Sequence, residues 1–399
     1  MSAIHRSVFI LFLCHRTLAS VSYNEKDFLA NLTWNYDRKI RPVLDGSNTT
    51  VSISMGLYSI YALDEKQEVL SFKAYAVMVW KDQLLVWNTA NDIPVLVTMP
   101  LADVWSPTVV NIDSVTNMRY LKYETDTVII YQDGTVIYNY IGRFDTGCKV
   151  NIQQFPFDRQ TCNLHFDTFY APASKEYLNV VDSYVNLETY QENGEFHLLS
   201  ASITRQKYTL LNESHNWIEV TLVLKRRTTF YILNNILPVV FLSFLNIFVF
   251  LLPEESGEKV SLCVSILLSY AMFLNLINSY LPANSDHLCF FSVYVTLLVL
   301  ISTLTCLVTI FMQLLHTNLQ RGEVRPRWLP NAWGSDNKVE TTKLQTDDVS
   351  PNKSDVKDKA NKKSEMKDAI LTKYNRMAFG TFFTLTALIN LIYFISVSL

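Results

Sequence analysis

The sequence predicts a β-sandwich extracellular domain followed by a four-helix transmembrane domain, an α+β multidomain membrane protein. Three observations carry that prediction. From about Asn24 to Arg227, runs such as TVSISMGLYSIYAL and FKAYAVMVW alternate apolar and polar residues and are bounded by turn residues, as half-buried strands are. Beyond Phe230, four apolar stretches reach the roughly 20 residues a bilayer-crossing helix needs. Of the six cysteines, only Cys148 and Cys162 lie in neither the apolar stretches nor the N-terminal leader, and a lone pair on a secretory route reads as one disulfide.

Taken in order, residues 1–20 read as a secretion signal: His5 and Arg6, the run SVFILFLC, then small residues at Ala19 and Ser20. A short helix is expected between Asn24 and Leu32. Residues 21–227 form the sandwich, where several strands at short spacing suit a single domain. Asp133-Gly134, between TVIIY and TVIYNY, predicts a hairpin of the type I′ kind. Sequons at Asn31, Asn48 and Asn212 agree with secretion. Residues 228–315 hold three spans, of which the first, Phe230 to Leu252, is interrupted by Asn234, Asn235 and Pro238. Residues 316–376 form a charged tract whose middle, from Ser335 to Lys363, is polar enough to be disordered, while SEMKDAILTKYNRM predicts an amphipathic helix running into the fourth span at 377–399. His316, Arg321, Arg325, Arg327, Lys373 and Arg376 put that tract in the cytoplasm by the positive-inside tendency, with both termini outside.

The second span carries an unusual stripe. Ser261, Ser265, Leu268, Met272, Asn275 and Ser279 are spaced four and three apart and share one helical face. Polar groups are costly in hydrocarbon, so this face meets water or other protein. In a ring of copies it would give a wet vestibule, an apolar constriction and a second wet vestibule, with Glu258 and Lys259 at one mouth. The competing reading is a helix packed inside a bundle, its serines bonded to their own backbone.

The net charge of -3 points to no nucleic-acid partner. The seven histidines show no metal spacing, no cofactor is expected, and H-E-x-x-H, G-x-S-x-G and phosphate-binding glycine loops are all missing. An enzyme is not expected.

The loop CKVNIQQFPFDRQTC, with Phe155-Pro156-Phe157-Asp158 between Cys148 and Cys162, resembles the signature loop of the Cys-loop receptors, the pentameric ligand-gated ion channels. VWKDQLLVWN, CNLHFDTFY and PEESGEKVSL are similar to segments of nicotinic acetylcholine receptors, so the resemblance covers nearly the whole chain. It implies five subunits, homomeric or heteromeric, around a pore lined by the second span. The disulfide loop would press on the membrane domain, and the bond before Pro156 is a candidate for the cis form. Glu65, in LDEKQEV, would pair with Arg226 to couple ligand binding to gating.

The resemblance also implies a box of aromatic faces for a small cationic agonist, built between subunits. Carried over position by position, Phe169 stands for the principal tryptophan, Ile112 for a tyrosine and Tyr75 for a tryptophan of the complementary side, where Ile137 and Asn139 face the same cleft. Tyr208 is the first aromatic of the third principal loop. The second is Trp217 if the loop is shifted, or His215 on an ungapped count; WIEVT favours Trp217. The adjacent cysteine pair of α-type subunits is missing, which marks a divergent non-α type. The function implied is a neurotransmitter-gated cation channel of the plasma membrane, postsynaptic in one setting, opened by acetylcholine or another amine. The alternatives are an anion channel of the same family, which the Gly257-Glu258-Lys259 start of the second span disfavours, an accessory subunit without its own agonist site, and a membrane-anchored adhesion protein.

Overall fold

The computed structural model describes residues 24–89, 94–115, 119–123, 125–168, 171–253, 258–282, 288–321 and 353–398. The leader, Phe169 and most of the charged tract lie outside them. The chain divides into two compact units, residues 1–150 with 159–227, and residues 151–158 with 228–399. The tip of the disulfide loop therefore groups with the second unit.

The first unit opens with helix α1 (Glu25–Leu32) and continues in eleven strands among the described residues. They are β1 (Thr49–Asp64), β2 (Val69–Val86), β3 (Leu96–Pro100), β4 (Val110–Asn111), β5 (Arg119–Tyr120), β6 (Thr127–Tyr131), β7 (Asp133–Gly147), β8 (Arg159–Asp167), β9 (Glu176–Val180), β10 (Phe196–Leu210) and β11 (Glu213–Arg226). One sheet has the order β3-β6-β7-β2-β1-β9, the other β10-β11-β8-β4-β5. Most even-numbered residues of β2, β7, β8 and β11, among them Phe72, Tyr140, Phe144, Leu164, Phe166 and Leu222, are buried between the sheets. Phe144 of one sheet meets Phe166 of the other edge to face at 6.0 Å. Because the side-chain period is two, the odd-numbered neighbours must lie on the outer faces, and the site residues are among them.

The expected hairpin at Asp133-Gly134 forms with a different turn. At Asp133-Gly134 only Gly134 has positive φ, at 78°, and Ile130 pairs with Val136. A type I′ turn needs positive φ at both central residues, so this turn is of the longer, glycine-bulged kind. A Cβ on Gly134 would come within 2.3 Å of the Asp82 carbonyl oxygen. The two-residue turn with both φ positive lies instead at Leu211 (52°) and Asn212 (65°), between the paired residues Leu210 and Glu213. Asparagine tolerates that region, whereas Leu211, 91% exposed, occupies it at a cost of about 1–2 kcal/mol. The β10–β11 hairpin is long enough, at fourteen register pairs, to hold the turn closed against that cost.

The second unit holds the loop tip and, among the described residues, four helices long and apolar enough to cross a membrane: α2 (Thr229–Leu251), α3 (Glu258–Tyr280), α4 (Phe290–Arg321) and α5 (Lys353–Ser398). Asn234 and Asn235 fall in a widened, π-helical turn of α2, over Ile232–Ile236, just before Pro238. Proline cannot donate to the carbonyl four residues back, and the wider turn absorbs that mismatch. Helix α5 is continuous from Lys353, so residues 353–363, expected within a disordered tract, are helical. A long helix gains one backbone bond per residue added, so an existing apolar helix extends easily through a polar segment with few breakers.

A polar network ties the spans together. The Tyr294 hydroxyl donates to Asn390 Oδ1 at 2.5 Å, and Asn390 Nδ2 donates to Ser243 Oγ at 3.3 Å. Asn246 bonds Thr305 and Ser302, both at 3.3 Å. All six residues are buried, so α2, α4 and α5 are held by hydrogen bonds whose loss would strand polar groups.

Candidate functional site

The sandwich sorts the expected ligand residues into two groups. On the outer face of the β10-β11-β8 sheet, Trp217 and Asp167 are cross-strand partners, and Tyr208 pairs with His215. The Tyr208 ring leans along the hairpin and stacks on both Trp217 (centroids 4.9 Å, 28° between planes) and His215 (5.2 Å, 29°). The two alternatives for the second aromatic are thus both against Tyr208, because 215 and 217 share a face. The Tyr208 hydroxyl donates to Asp167 Oδ2 at 2.5 Å. The Trp217 ring also lies 5.1 Å from His165, and His165 is held by Asp113 at 2.9 Å and lies 3.7 Å from Glu219. Ile112 is half-buried beside this group, its amide donating to the His165 carbonyl at 3.0 Å. Phe169 lies outside the described residues.

Burial pushes the Asp167 carboxyl above its usual range, with the Tyr208 hydroxyl, the neighbouring Thr168 amide and His215 opposing it. Burial and the same hydrogen bond hold the Tyr208 hydroxyl well above the ordinary tyrosine value. The sequence reading does not single out Asp167 or His165. Their signal is an ionisable residue at each outward position of LHFD, where a strand face covered by aromatics would ordinarily be apolar.

The second group lies on the outer face of the other sheet. Tyr75, Ile137 and Asn139 sit on the adjacent strands β2 and β7, at odd positions that share one face. Tyr75 packs across Gly56, where a Cβ would come within 2.1 Å of its ring, and beside Tyr58 at 5.4 Å. Opposite outer faces of one sandwich cannot line one cleft. Only two copies, each offering one face, can bring both groups together.

The expected coupling pair is close. Arg226, whose side chain is 0% exposed, forms an ion pair with Glu65 at 2.6 Å. It has a second partner, Glu195, at 3.2 Å, and its guanidinium lies 4.6 Å from the centre of the Phe196 ring. Glu195 immediately precedes Phe196, the cross-strand partner of Arg226, so it is a neighbour that only the strand register reveals. Burial raises the Glu65 carboxyl above its usual range despite the pull of Arg226. Cys148 and Cys162 are bonded. Within the second unit, Phe155 meets Tyr231 edge to face at 5.1 Å, and the Phe290 amide donates to Gln153 at 3.1 Å. The Phe155–Pro156 bond is cis, Pro156 and Asp158 are buried and Phe157 is half-buried. Asn31, Asn48 and Asn212 are all exposed.

On α3 the stripe is the open face. Leu268 is 62% and Met272 68% exposed, and Glu258, Ser261, Ser265, Asn275 and Ser279 are exposed with them. Lys259, Cys263, Ile266, Tyr270 and Ile277 form the buried face. The stripe is therefore not packed inside the bundle of its own chain. Ser265 and Ser279 do bond their own helix, to Ser261 and Leu276 carbonyls at 2.8 and 2.6 Å. Each such bond satisfies the hydroxyl hydrogen and leaves the oxygen's lone pairs available on the exposed face.

Comparison with known proteins agrees with this architecture. The profile of the neurotransmitter-gated ion-channel ligand binding domain matches residues 25–228, and that of the neurotransmitter-gated ion-channel transmembrane region matches residues 235–375. The neuronal acetylcholine receptor subunit alpha-6 of Rattus norvegicus is 29% identical over 310 residues, 77% of this chain and 63% of that protein. Subunit alpha-3 of Bos taurus is 28% identical over 80% of this chain and 65% of its own length, and subunit alpha-5 of Homo sapiens 30% over 75% and 64%. The chain thus spans somewhat less than two thirds of the curated relatives it matches. With both profiles matched in order, and together covering most of its length, this chain belongs to the family of neurotransmitter-gated ion channels.

Proposed function

We propose that the chain is a subunit of a pentameric, cation-conducting channel of the plasma membrane, opened by a small extracellular amine. The observation that supports this most is the open face of α3, apolar at Leu268 and Met272, hydroxyl- and amide-bearing on either side, with an exposed carboxylate at Glu258. An apolar ring between wet vestibules gates by dewetting, and a ring of carboxylates attracts cations and repels anions. Both ligand-facing groups belong to the same chain, which favours an interface built from identical copies as well as one shared with related subunits. The aromatic group at Tyr208 and Trp217 suits a cation, since ring faces attract one by up to about 2 kcal/mol when it is desolvated. The relatives named as acetylcholine receptor subunits make an amine the first ligand class to try.

The test is expression of the chain alone in oocytes, with a panel of amines and amino acids applied under voltage clamp. The expected result is an inward current evoked by an amine and reversing away from the chloride equilibrium potential. A current evoked only by amino acids, or reversing at the chloride potential, contradicts the reading.

A further inference from the structure

The geometry points to Asp167 as an anionic anchor that makes the Tyr208–Trp217 site a receptor for amines bearing an N–H, primary or secondary, in preference to quaternary ammonium ions. This rests on the proposed amine site and states which amines it takes. Asp167 is only 1% exposed, yet among the described residues no lysine or arginine pairs with it. Its Oδ2 accepts the Tyr208 hydroxyl, while Oδ1, buried, has no hydrogen-bond partner. Two further buried polar atoms of the same cluster, Trp217 Nε1 and His215 Nδ1, are unpartnered as well. Three such atoms around one stacked trio of rings are a concentration of unmet polar capacity on the face where the ligand residues converge. The equally secluded Asp82 gives the contrast, its carboxylate accepting Tyr36 and the amides of Leu84 and Leu85, while Glu176 Oε2 is also buried without a partner but stands apart from any such cluster of rings.

A secluded carboxylate without a cation is unfavourable, which is why burial pushes its proton affinity up. A ligand ammonium supplies both missing things, a positive charge and an N–H directed at Oδ1. Charge-assisted hydrogen bonds of this kind are among the strong ones. A trimethylated ammonium carries the charge but no N–H. It also holds its charge behind methyl groups, further from the oxygen, and relies on ring faces alone. The Tyr208 hydroxyl fixes the carboxylate by its other oxygen, so the anchor is oriented before the ligand arrives.

The test uses the purified full chain in detergent and reads ligand-induced thermal stabilisation. The probes are tyramine and propylamine, each beside its N,N,N-trimethyl analogue. The primary amines are expected to bind at least tenfold more tightly than their trimethyl partners, about 1.4 kcal/mol. Asp167→Asn should abolish the preference, because the amide keeps the size and the Tyr208 contact but not the charge. If that variant fails to fold, Tyr208→Phe serves: it leaves the carboxylate in place, and the preference should survive, weakened. Trimethyl analogues that bind as well as the primary amines, failure of both primary amines to bind, or a preference unchanged in Asp167→Asn overturns the anchor. The same protein in oocytes separates this from the channel reading: a chloride reversal potential would reject cation conduction while leaving the binding preference intact.

Discussion

The most demanding prediction concerns Arg226. Its guanidinium is fully buried, cannot give up its proton, and is met by Glu65 at 2.6 Å, Glu195 at 3.2 Å and the Phe196 ring at 4.6 Å. Removing one partner of a buried pair typically costs roughly 3–5 kcal/mol, because the other charge is left uncompensated. Here the lower end applies: the Glu65 side chain keeps 16% exposure and can take a proton, and Glu195 is 41% exposed. Arg226→Ala should therefore cost about 3 kcal/mol, or a fall in unfolding temperature of roughly 6–12 °C for a unit of this size. Glu65→Gln should behave quite differently. Burial outweighs the pull of Arg226 on the Glu65 proton affinity, so the charged form is less favoured than it is in the unfolded chain, and Glu195 still faces the arginine when Glu65 is neutralised. The cost should stay within about 1 kcal/mol. The pH dependence follows with its sign. A carboxyl raised in the folded state holds its proton more tightly than in the unfolded chain. Its stabilising contribution is complete below the unfolded value and is lost as pH rises through the folded one. Glu65→Gln should thus compare better with wild type at neutral pH than at mildly acid pH. Thermal unfolding of both variants across that range is the assay. If Glu65→Gln costs as much as Arg226→Ala, or if Arg226→Ala costs under 1 kcal/mol, the reasoning fails.

Two further predictions concern the membrane unit. Leu268, 62% exposed at the apolar centre of the α3 stripe, should on change to Thr let water into the constriction; voltage clamp should find leak current or about a tenfold lower agonist concentration for half activation, roughly 1.4 kcal/mol in the gating equilibrium. Asn390→Leu leaves the buried Tyr294 hydroxyl without its acceptor and should cost about 1–3 kcal/mol in thermal unfolding, and the further change Tyr294→Phe should recover part of that loss, since a pair removed together leaves nothing stranded.

Much of this molecule is legible in its sequence because its elements follow local rules. The odd–even alternation of FKAYAVMVW and WIEVTLVLK already assigns Tyr75 and Trp217 to outer faces, and the four-and-three spacing from Ser261 to Ser279 already marks one side of α3. Whether that side was covered by the chain's own helices was not legible, because the answer depends on where α2, α4 and α5 pack. The turns show a different limit. The dipeptide at Asp133-Gly134 suits a type I′ turn, but Gly134 closes against the Asp82 carbonyl, a contact made by a strand some fifty residues away. Leu211, a poor residue for positive φ, sits in the true two-residue turn because strand pairing fixed the register on both sides. The same cause hid Glu195 behind Arg226 and Asp167 beneath Tyr208: each is a neighbour across strands, at a sequence distance no local pattern spans. The polar network through Asn390 joins residues 96 and 147 positions apart and is invisible for that reason.

The central claim is that the open face of α3 lines a cation pore, and Glu258 is where it can be tested most directly. Glu258 is exposed in the first turn of α3, on the stripe's side, while Lys259 is buried at 1% exposure and so adds no opposing charge to that face. At the other end the stripe closes with Ser279, which is neutral, so charge selection should rest on Glu258. A carboxylate that merely complements a helix N-terminus contributes about 0.3–1 kcal/mol and would affect folding yield alone. The measurement is the reversal potential of agonist-evoked current in asymmetric sodium chloride, for wild type and Glu258→Ala. The account predicts that wild type reverses near the sodium potential and that Glu258→Ala moves toward the chloride potential with reduced conductance; a wild-type current that reverses at the chloride potential, or a reversal potential that Glu258→Ala leaves unmoved, would contradict it.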